Sequence, residues 1–393
     1  MKIYLLPALL ILMTNIKAQS YIADYNVAKE DILRSIPQQY IDKARNNFKI
    51  AYQHTSHGTH VSFGLYGLPN YKNGDEQLFA ISRNMNVDDH LAFYDYALES
   101  YGEPGVDATD LSRDETAFIQ TTRNFLDDPN NSEINVVMWA WCDIAGHQVE
   151  TNYLPGMEML IDEYGIRGTK IGSGAGQRIR PVHFIFMTGH ANVNDNIGTG
   201  KPKNQADLIT DYCNKNSYYC LDYFSIDSHC MNDYYYSDCS DDGDSDEYGG
   251  NYYKTFQDQG QLGQTYYENK NIPQGDIKFG QHNTQHITAN RKAYAMWWIL
   301  ARLAGWDNAP TAARYNMDDD LFYFNQTNKQ IYFTDNSYIK NSNCCIYSIT
   351  GSLVLEKTIH SSALSLRTLK NGLYIVTLIT THGSITKKIV IQH

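Results

Sequence analysis

Apolar positions along the first two thirds of the chain fall into two alternating patterns. Short apolar runs rich in β-branched and aromatic residues are typical of buried strands; they occupy residues 48–54, 135–143, 181–190 and 218–227. Apolar side chains three or four residues apart predict helices; they are Val87, Leu91, Tyr94 and Leu98, then Phe118, Thr122 and Phe125, then Met157, Leu160 and Tyr164, and then Ala206, Ile209 and Cys213. Together the patterns predict a doubly wound α/β domain, in which helices cover both faces of a parallel sheet.

A last helix closes this domain, and a long polar segment precedes it. The helix is predicted from about Thr288 to Ala304, where Gly305 stops it. Residues 228–281 show no apolar period and are rich in Tyr, Asp, Asn and Gly. An insertion longer than ~15 residues in a compact domain is usually functional or disordered. We therefore predict one α/β domain over residues 19–310 that carries this insertion.

From about Leu321 the chain changes to alternating strands divided by glycine-containing turns, which predicts a small all-β sandwich after a linker at 311–320. The segments IYSITGSLV, LKNGLYIV and ITKKIVI make residues 321–393 resemble the C-terminal sorting domain of the type IX secretion system. The resemblance implies that this secretion machinery is a partner and that the protein is secreted or held at the cell surface. An accessory carbohydrate-binding sandwich is the alternative.

The start of the chain agrees with export. Residues 1–18 combine an early Lys with an apolar run of about ten residues and a final Ala, which predicts a signal peptide too short for a bilayer span of ~20 residues.

The formal charge of the whole chain is −12. Residues 1–18 contribute +2 and residues 321–393 contribute +5, so residues 19–320 carry about −19. A body this acidic repels phosphate backbones, so the sequence disfavours nucleic acid as a partner.

Candidate catalytic residues follow the predicted strands. Ligands of a doubly wound sheet collect at the carboxyl ends of its strands. Ser56 follows the first predicted strand, and Gly58 would let an oxyanion approach backbone N–H groups beside it. A nucleophilic Ser needs a base, and the candidates are His286, with Asn283 in the place of an orienting carboxylate, and His282. The alternative for Ser56 is a helix N-cap.

These positions resemble the SGNH (GDSL-like) hydrolases, whose Ser follows the first strand and whose DxxH motif precedes the terminal helix. A divergent branch of this flavodoxin-like fold is the closer resemblance, carried over residues 48–307 by WAWCD, HFIFMTGH, NQADLITDYC with LDYFSID, and ARLAGW. The resemblance implies a serine hydrolase that uses Ser56 and His286. The chain departs from the family where HTSHG replaces GDS, NTQH replaces DxxH, and no Asn follows the third strand. Asn192, after the next strand, is the candidate oxyanion donor, and a turn residue without a role in catalysis is the alternative.

Two metal sites compete with this chemistry. Carboxylates on the acidic loop of the insertion are hard oxygen ligands that suit Ca²⁺, although the EF-hand spacing is absent; they are Asp238, Asp242, Asp244 and Asp246. A solvated acidic loop is the alternative to that site. Histidines near strand ends are candidate zinc ligands, without an HExxH motif; they are His54, His57, His60 and His190. The alternative is that His54 and His190 are polar groups that line the cleft and form hydrogen bonds to the backbone.

The sequence thus predicts an exported ester hydrolase of SGNH type that requires no cofactor. Its fold and destination favour acyl groups on glycans, or small esters, as substrates. The tyrosines of the insertion are suited to stacking on sugar rings. The alternative function is a catalytically weak or inactive relative that binds glycans or calcium at the cell surface.

Overall fold

The structure is a computed structural model that describes residues 21–261, 264–267, 285–307, 322–326, 328–333, 342–348, 352–380 and 383–392. The chain divides into two compact units, Met1–Asn308 and Ala309–His393. The predicted signal peptide and the predicted linker lie outside the described residues.

A parallel sheet forms the centre of the first unit. Within the described residues it has seven strands, which are β1 (Ile22–Ala23), β2 (Lys49–Gln53), β3 (Ile81–Arg83), β4 (Leu91–Asp95), β5 (Val136–Trp139), β6 (His183–Met187) and β7 (Cys220–Leu221). Their spatial order is β1-β7-β6-β5-β2-β4-β3, and every neighbouring pair is parallel. The five strands from β4 to β7 have the 2-1-3-4-5 order of doubly wound sheets of the flavodoxin type. The predicted α/β class with a doubly wound parallel sheet is therefore confirmed.

Helices cover both faces of this sheet, because successive strand side chains point to opposite faces. Ile50 and Tyr52 pack in one apolar cluster and Ala51, between them, packs in the other. The first cluster includes residues of α1 (Glu30–Ser35), α2 (Gln38–Asn47), α3 (Thr59–Gly67) and α10 (His286–Leu303), and the second includes residues of α5 (Ala117–Asp127), α6 (Leu154–Tyr164) and α7 (Pro202–Asn216). The shorter helices are α4 (Asp75–Leu78), α8 (Tyr223–Ser228) and α9 (Tyr252–Phe256), and β8 (Asp244–Ser245) pairs with β9 (Gly250–Asn251) in the insertion.

Two local predictions are wrong. The segment around Val87 to Leu98, predicted as a helix, contains strand β4, whose Leu91, Ala92 and Phe93 are all buried. When both faces of a strand are buried, its apolar and polar residues do not alternate, so its sequence resembles the apolar face of a helix. The run 218–227 is a strand only at β7, since the Asp222 side chain accepts the Ser225 N–H at 3.2 Å and caps α8.

The second unit is an antiparallel sandwich, as predicted. One sheet has the order β10-β11-β14 and the other β13-β12-β15-β16. The strands are β10 (Phe322–Asn325), β11 (Gln330–Phe333), β12 (Asn343–Ser348), β13 (Leu353–Thr358), β14 (Ala363–Ser365), β15 (Gly372–Thr380) and β16 (Gly383–Ile391). Side chains of both sheets, such as Ile331 and Val376, share one apolar core.

Helices α3 and α10 approach closely at a glycine. A Cβ added to Gly64 in α3 would lie 2.0 Å from the backbone oxygen of Ala289 in α10. This contact holds the start of α10 against α3, which directly follows the turn that carries Ser56.

We expect Gly64→Ala to lower the free energy of unfolding by about 2–3 kcal/mol, because its methyl group meets a backbone atom that moves only with α10. Gly156→Ala is the matched control in α6. Its methyl group would meet the side-chain ends of Phe118 and Ile119, at 2.7 and 2.8 Å, which are able to shift. Urea unfolding of both variants checks the prediction, and equal losses would contradict it.

A buried ion pair joins α10 to α8. Lys292 Nζ lies 2.5 Å from Asp227 Oδ1, and both side chains are fully buried. Lys292 Nζ also donates to Thr288 Oγ1 and lies 3.9 Å from the centre of the Tyr223 ring. Burial lowers the pKa of Lys292 and raises that of Asp227, and the attraction between the two charges opposes both shifts. Each charge therefore depends on the other.

Lys292→Met leaves the Asp227 carboxylate buried without its partner, and we expect it to lower the free energy of unfolding by about 3 kcal/mol. Adding Asp227→Asn to that variant should recover part of the loss. As a control, Lys203→Met breaks an exposed pair with Asp207 (2.8 Å) and should cost under about 1 kcal/mol. Chemical denaturation of the three variants measures this, and equal costs for the two single Lys variants would rule out a stabilising role for the buried pair.

Candidate functional site

The loops that follow β2, β5, β6 and β7 meet at the carboxyl edge of the parallel sheet. Tyr223, after β7, donates its hydroxyl to the backbone oxygen of His57, after β2, at 2.6 Å. The N–H of Ala191, after β6, donates to Asp227 Oδ2 at 3.3 Å. The loops after these strands therefore share one site.

Ser56 lies in a strained turn between strand β2 and helix α3. It opens a short 3-10 turn, Ser56–Gly58, and its φ is 30°. A residue with a Cβ is held at such a positive φ only at a cost of about 1–3 kcal/mol, and strain of this kind clusters at functional sites. The Ser56 backbone oxygen accepts the Thr59 hydroxyl at 2.6 Å, and Ser56 is partly exposed.

Gly58 is required here for packing. A Cβ at this position would lie 2.3 Å from His54 Cβ and 2.9 Å from the Tyr52 hydroxyl. The Gly58 N–H donates to the Thr55 backbone oxygen at 2.9 Å. Because this donor is used inside the turn, an oxyanion at Ser56 would need other N–H groups.

His57 is the centre of a cluster that joins three loops. Its ring stacks on His190, with centroids 3.6 Å apart and planes 19° apart. His57 Nε2 lies 3.5 Å from Asp241 Oδ2, and Nδ1 lies 3.8 Å from Cys142 Sγ. Among the described residues, His57, His190 and Asp241 are the group of at least three potential metal ligands whose ligand atoms all lie within 4.8 Å of one another.

The other two histidines of the zinc hypothesis form hydrogen bonds to residues outside this cluster. His54 Nε2 lies 2.7 Å from Asp95 Oδ1, and Asp95 also pairs with Arg83 at 3.0 Å. The Tyr223 hydroxyl donates to a carbonyl, so it accepts the Nδ1–H of His60, at 2.5 Å. Both rings therefore support the walls of the site, and His57 and His190 alone of the four share the cluster.

The buried carboxylates of Asp227 and Asp241 interact electrostatically with the buried ammonium group of Lys292 at this edge. Burial raises the pKa of Asp241 well above its usual range, and the neighbouring charge of Asp227 raises it further. The positive charge of Lys292 opposes the rise in the pKa of Asp241 and the rise in the pKa of Asp227. The site therefore stabilises additional protons or cations more than additional negative charge.

The start of α10 reaches the same edge. His286 is the first residue of the helix, is mostly buried, and donates its N–H to Gln257 Oε1 at 2.9 Å. Two residues later, Thr288 Oγ1 donates to the backbone oxygen of Asp241 at 3.2 Å. Asn283 and His282 lie outside the described residues.

The candidate oxyanion donor Asn192 lies at the rim of this edge. Its Nδ2 donates to Asp143 Oδ1 at 3.1 Å, and its N–H donates to Asn196 Oδ1 at 2.6 Å. This amide therefore links the loop after β6 to the loop after β5, and its role as a donor to substrate remains a prediction.

The aspartates of the calcium hypothesis contact their own loop and the loop after β6. Asp238 accepts the Ser245 hydroxyl at 2.7 Å and the Glu247 N–H at 2.9 Å. The Asp242 carboxylate accepts the Ser240 hydroxyl at 2.7 Å. Partial desolvation raises the pKa of Asp244, and the neighbouring charge of Asp242 raises it further. Asp246 accepts Asn194 Nδ2 at 3.3 Å. These contacts define a folded loop, and calcium binding by it remains a prediction.

Sequence reasoning missed the roles of Asp227, Asp241 and Lys292. Asp241 stands inside the acidic run, where nothing distinguishes it from its neighbours. Lys292 lies in a helix whose residues from 286 to 302 are all buried. A lysine within such an apolar helix was the available signal that a buried partner had to exist.

Comparison with known proteins identifies the second unit. Residues 322–392 match the family model of the secretion system C-terminal sorting domain, which confirms that part of the sequence prediction. No curated protein matches the chain. In the described part of the chain, none of the helices has the length and apolar character needed to cross a bilayer. The sorting domain indicates that the protein is secreted or displayed at the cell surface through the type IX system.

Proposed function

We propose that the first unit is an ester hydrolase of SGNH type that acts outside the cell, with Ser56 as nucleophile. The observation that carries this proposal is the strand–turn–helix that holds Ser56 partly exposed with φ 30° at the carboxyl edge. Nucleophilic serines of α/β hydrolases occupy a strained turn of this kind, because it exposes the hydroxyl above the sheet.

His286 is the proposed base. A chain of contacts relates it to Ser56: the neighbouring His57 faces Asp241, and the Asp241 backbone oxygen accepts the hydroxyl of Thr288, two residues after His286. These contacts support one crevice for nucleophile and base. His282 is the competing base, and Asn283 would orient the imidazole in place of the usual carboxylate.

In the proposed mechanism, Ser56 Oγ attacks the ester carbonyl while its proton passes to the His286 imidazole. The protonated imidazole then gives that proton to the departing alcohol, leaving an acyl group on Ser56. Water attacks this acyl-enzyme and returns the proton to Oγ by the same route. Asn192 Nδ2 and backbone N–H groups near Ser56 other than that of Gly58 are the proposed donors to the oxyanion.

Acylated glycans are the proposed substrates. Tyrosines of the insertion form a cluster in which Tyr236 lies 4.7 Å from Tyr234 and 5.6 Å from Tyr248, measured between ring centres. Tyr234 is 52% exposed and Tyr248 is 36% exposed. Exposed aromatic rings provide apolar faces for sugar rings. The same cluster favours the second candidate function, a glycan-binding surface protein without turnover.

A fluorophosphonate probe should label the wild-type chain, and Ser56→Ala should abolish labelling and lower kcat/KM on p-nitrophenyl acetate by at least about 10³-fold. Ser112→Ala is the control, since Ser112 Oγ accepts the Asp143 N–H at the same edge, at 2.8 Å, and it should remain labelled. Mass spectrometry of the labelled peptide measures the site.

Ser56→Gly separates catalysis from stability. It should also lose labelling, while the free energy of unfolding rises by about 1 kcal/mol because glycine adopts positive φ without strain. Equal labelling of wild type and Ser56→Ala would exclude Ser56 as the nucleophile. Binding of acetylated glycan without labelling or turnover of any ester would favour the second function.

A further inference from the structure

We propose that His57, His190 and Asp241 form a binding site for a divalent transition-metal ion of the zinc class. The three residues come from the turn after β2, the loop after β6 and the acidic insertion. The proposal rests on their geometry and is independent of the proposed ester hydrolysis, since metal binding is measured without turnover.

The spacing of the ligand atoms fits one ion. His57 Nε2 and Asp241 Oδ2 are 3.5 Å apart, and all three ligand atoms lie within 4.8 Å of one another. Ligands that each lie about 2.1 Å from a tetrahedral ion are about 3.4 Å from one another. Only small side-chain adjustments would therefore bring the three atoms to a common ion.

The hydrogen bonding of His190 provides a second, independent observation. Its Nδ1 donates to the backbone oxygen of Ala191 at 2.9 Å, so the neutral ring has its lone pair on Nε2. That Nε2 is buried and has no hydrogen-bond partner among the described residues, and His190 is only 7% exposed. Metal-binding histidines commonly donate their other N–H to a backbone carbonyl in this way.

The rings of His57 and His190 stack with their centroids 3.6 Å apart, so their mutual orientation decides how both reach one ion. Coordination by both rings requires their planes to open beyond the present 19°, so that both lone pairs point at one ion.

The ligand types select the class of metal. Two imidazole nitrogens and one carboxylate suit zinc and similar first-row ions, whereas calcium and magnesium prefer oxygen ligands. Three protein ligands leave a position open for water or substrate. Cys142 Sγ faces His57 Nδ1, the nitrogen turned away from Asp241, so it would accept that N–H instead of binding the ion.

Elemental analysis of the full chain tests the site. Protein stripped with a chelator, reloaded with Zn²⁺ and desalted should hold about one zinc per chain. His190→Ala and Asp241→Asn should each weaken zinc binding at least tenfold in a titration. His90→Ala is the matched control, because His90 precedes β4 at the opposite edge of the sheet, and it should bind zinc like the wild type.

X-ray absorption at the zinc edge of the wild-type chain keeps the test independent of how well the variants fold. We expect two imidazole nitrogens and oxygen ligands. Sulfur ligands would overturn the proposal, because they would assign the zinc to some of the seven cysteines. Failure of the wild type to retain zinc, or equal affinity in His190→Ala and the wild type, would also overturn it.

Discussion

The buried pair of Lys292 and Asp227 is the contact on which the rest of the first unit depends. An ammonium group and a carboxylate withdrawn from water are tolerated only when they stay together. The pair therefore fixes the register of α10 against α8 and the carboxyl edge of the sheet. The Thr288 hydroxyl, one turn earlier on α10, then holds the backbone of Asp241, so the acidic insertion is positioned by the same contact.

Much of the fold was predictable because apolar residues recur at regular spacing wherever one side of a helix or strand is buried. Helix α5, with buried Phe118 and Phe125, and the sandwich strands were recognised in this way. Strand β4 was not, since Leu91, Ala92 and Phe93 are all buried and show no alternation. Asp222 also ended β7 earlier than expected, because it caps the next helix instead of extending the strand.

The candidate site was predictable only in part. Topology alone places Ser56 and His190 at the carboxyl edge, since each directly follows a strand of a parallel sheet. The pairing of His57 with Asp241 depends on the path of the insertion, and the sequence of the insertion has no apolar periodicity from which that path could be predicted. Gly58 was recognised as special, but packing against His54 is the physical reason that its structure gives.

The origin of Asp241 has a consequence for how such a protein diversifies. The turn after β2 and the loop after β6 supply the two imidazoles, whereas the carboxylate comes from the insertion, which adds nothing to the seven-stranded sheet of the described residues. Changes in the length or composition of the insertion would therefore alter the chemistry of the proposed metal site without changing the sheet or its helices. Variation between related chains should accordingly concentrate there, as it does in the adaptable loops of other rigid scaffolds.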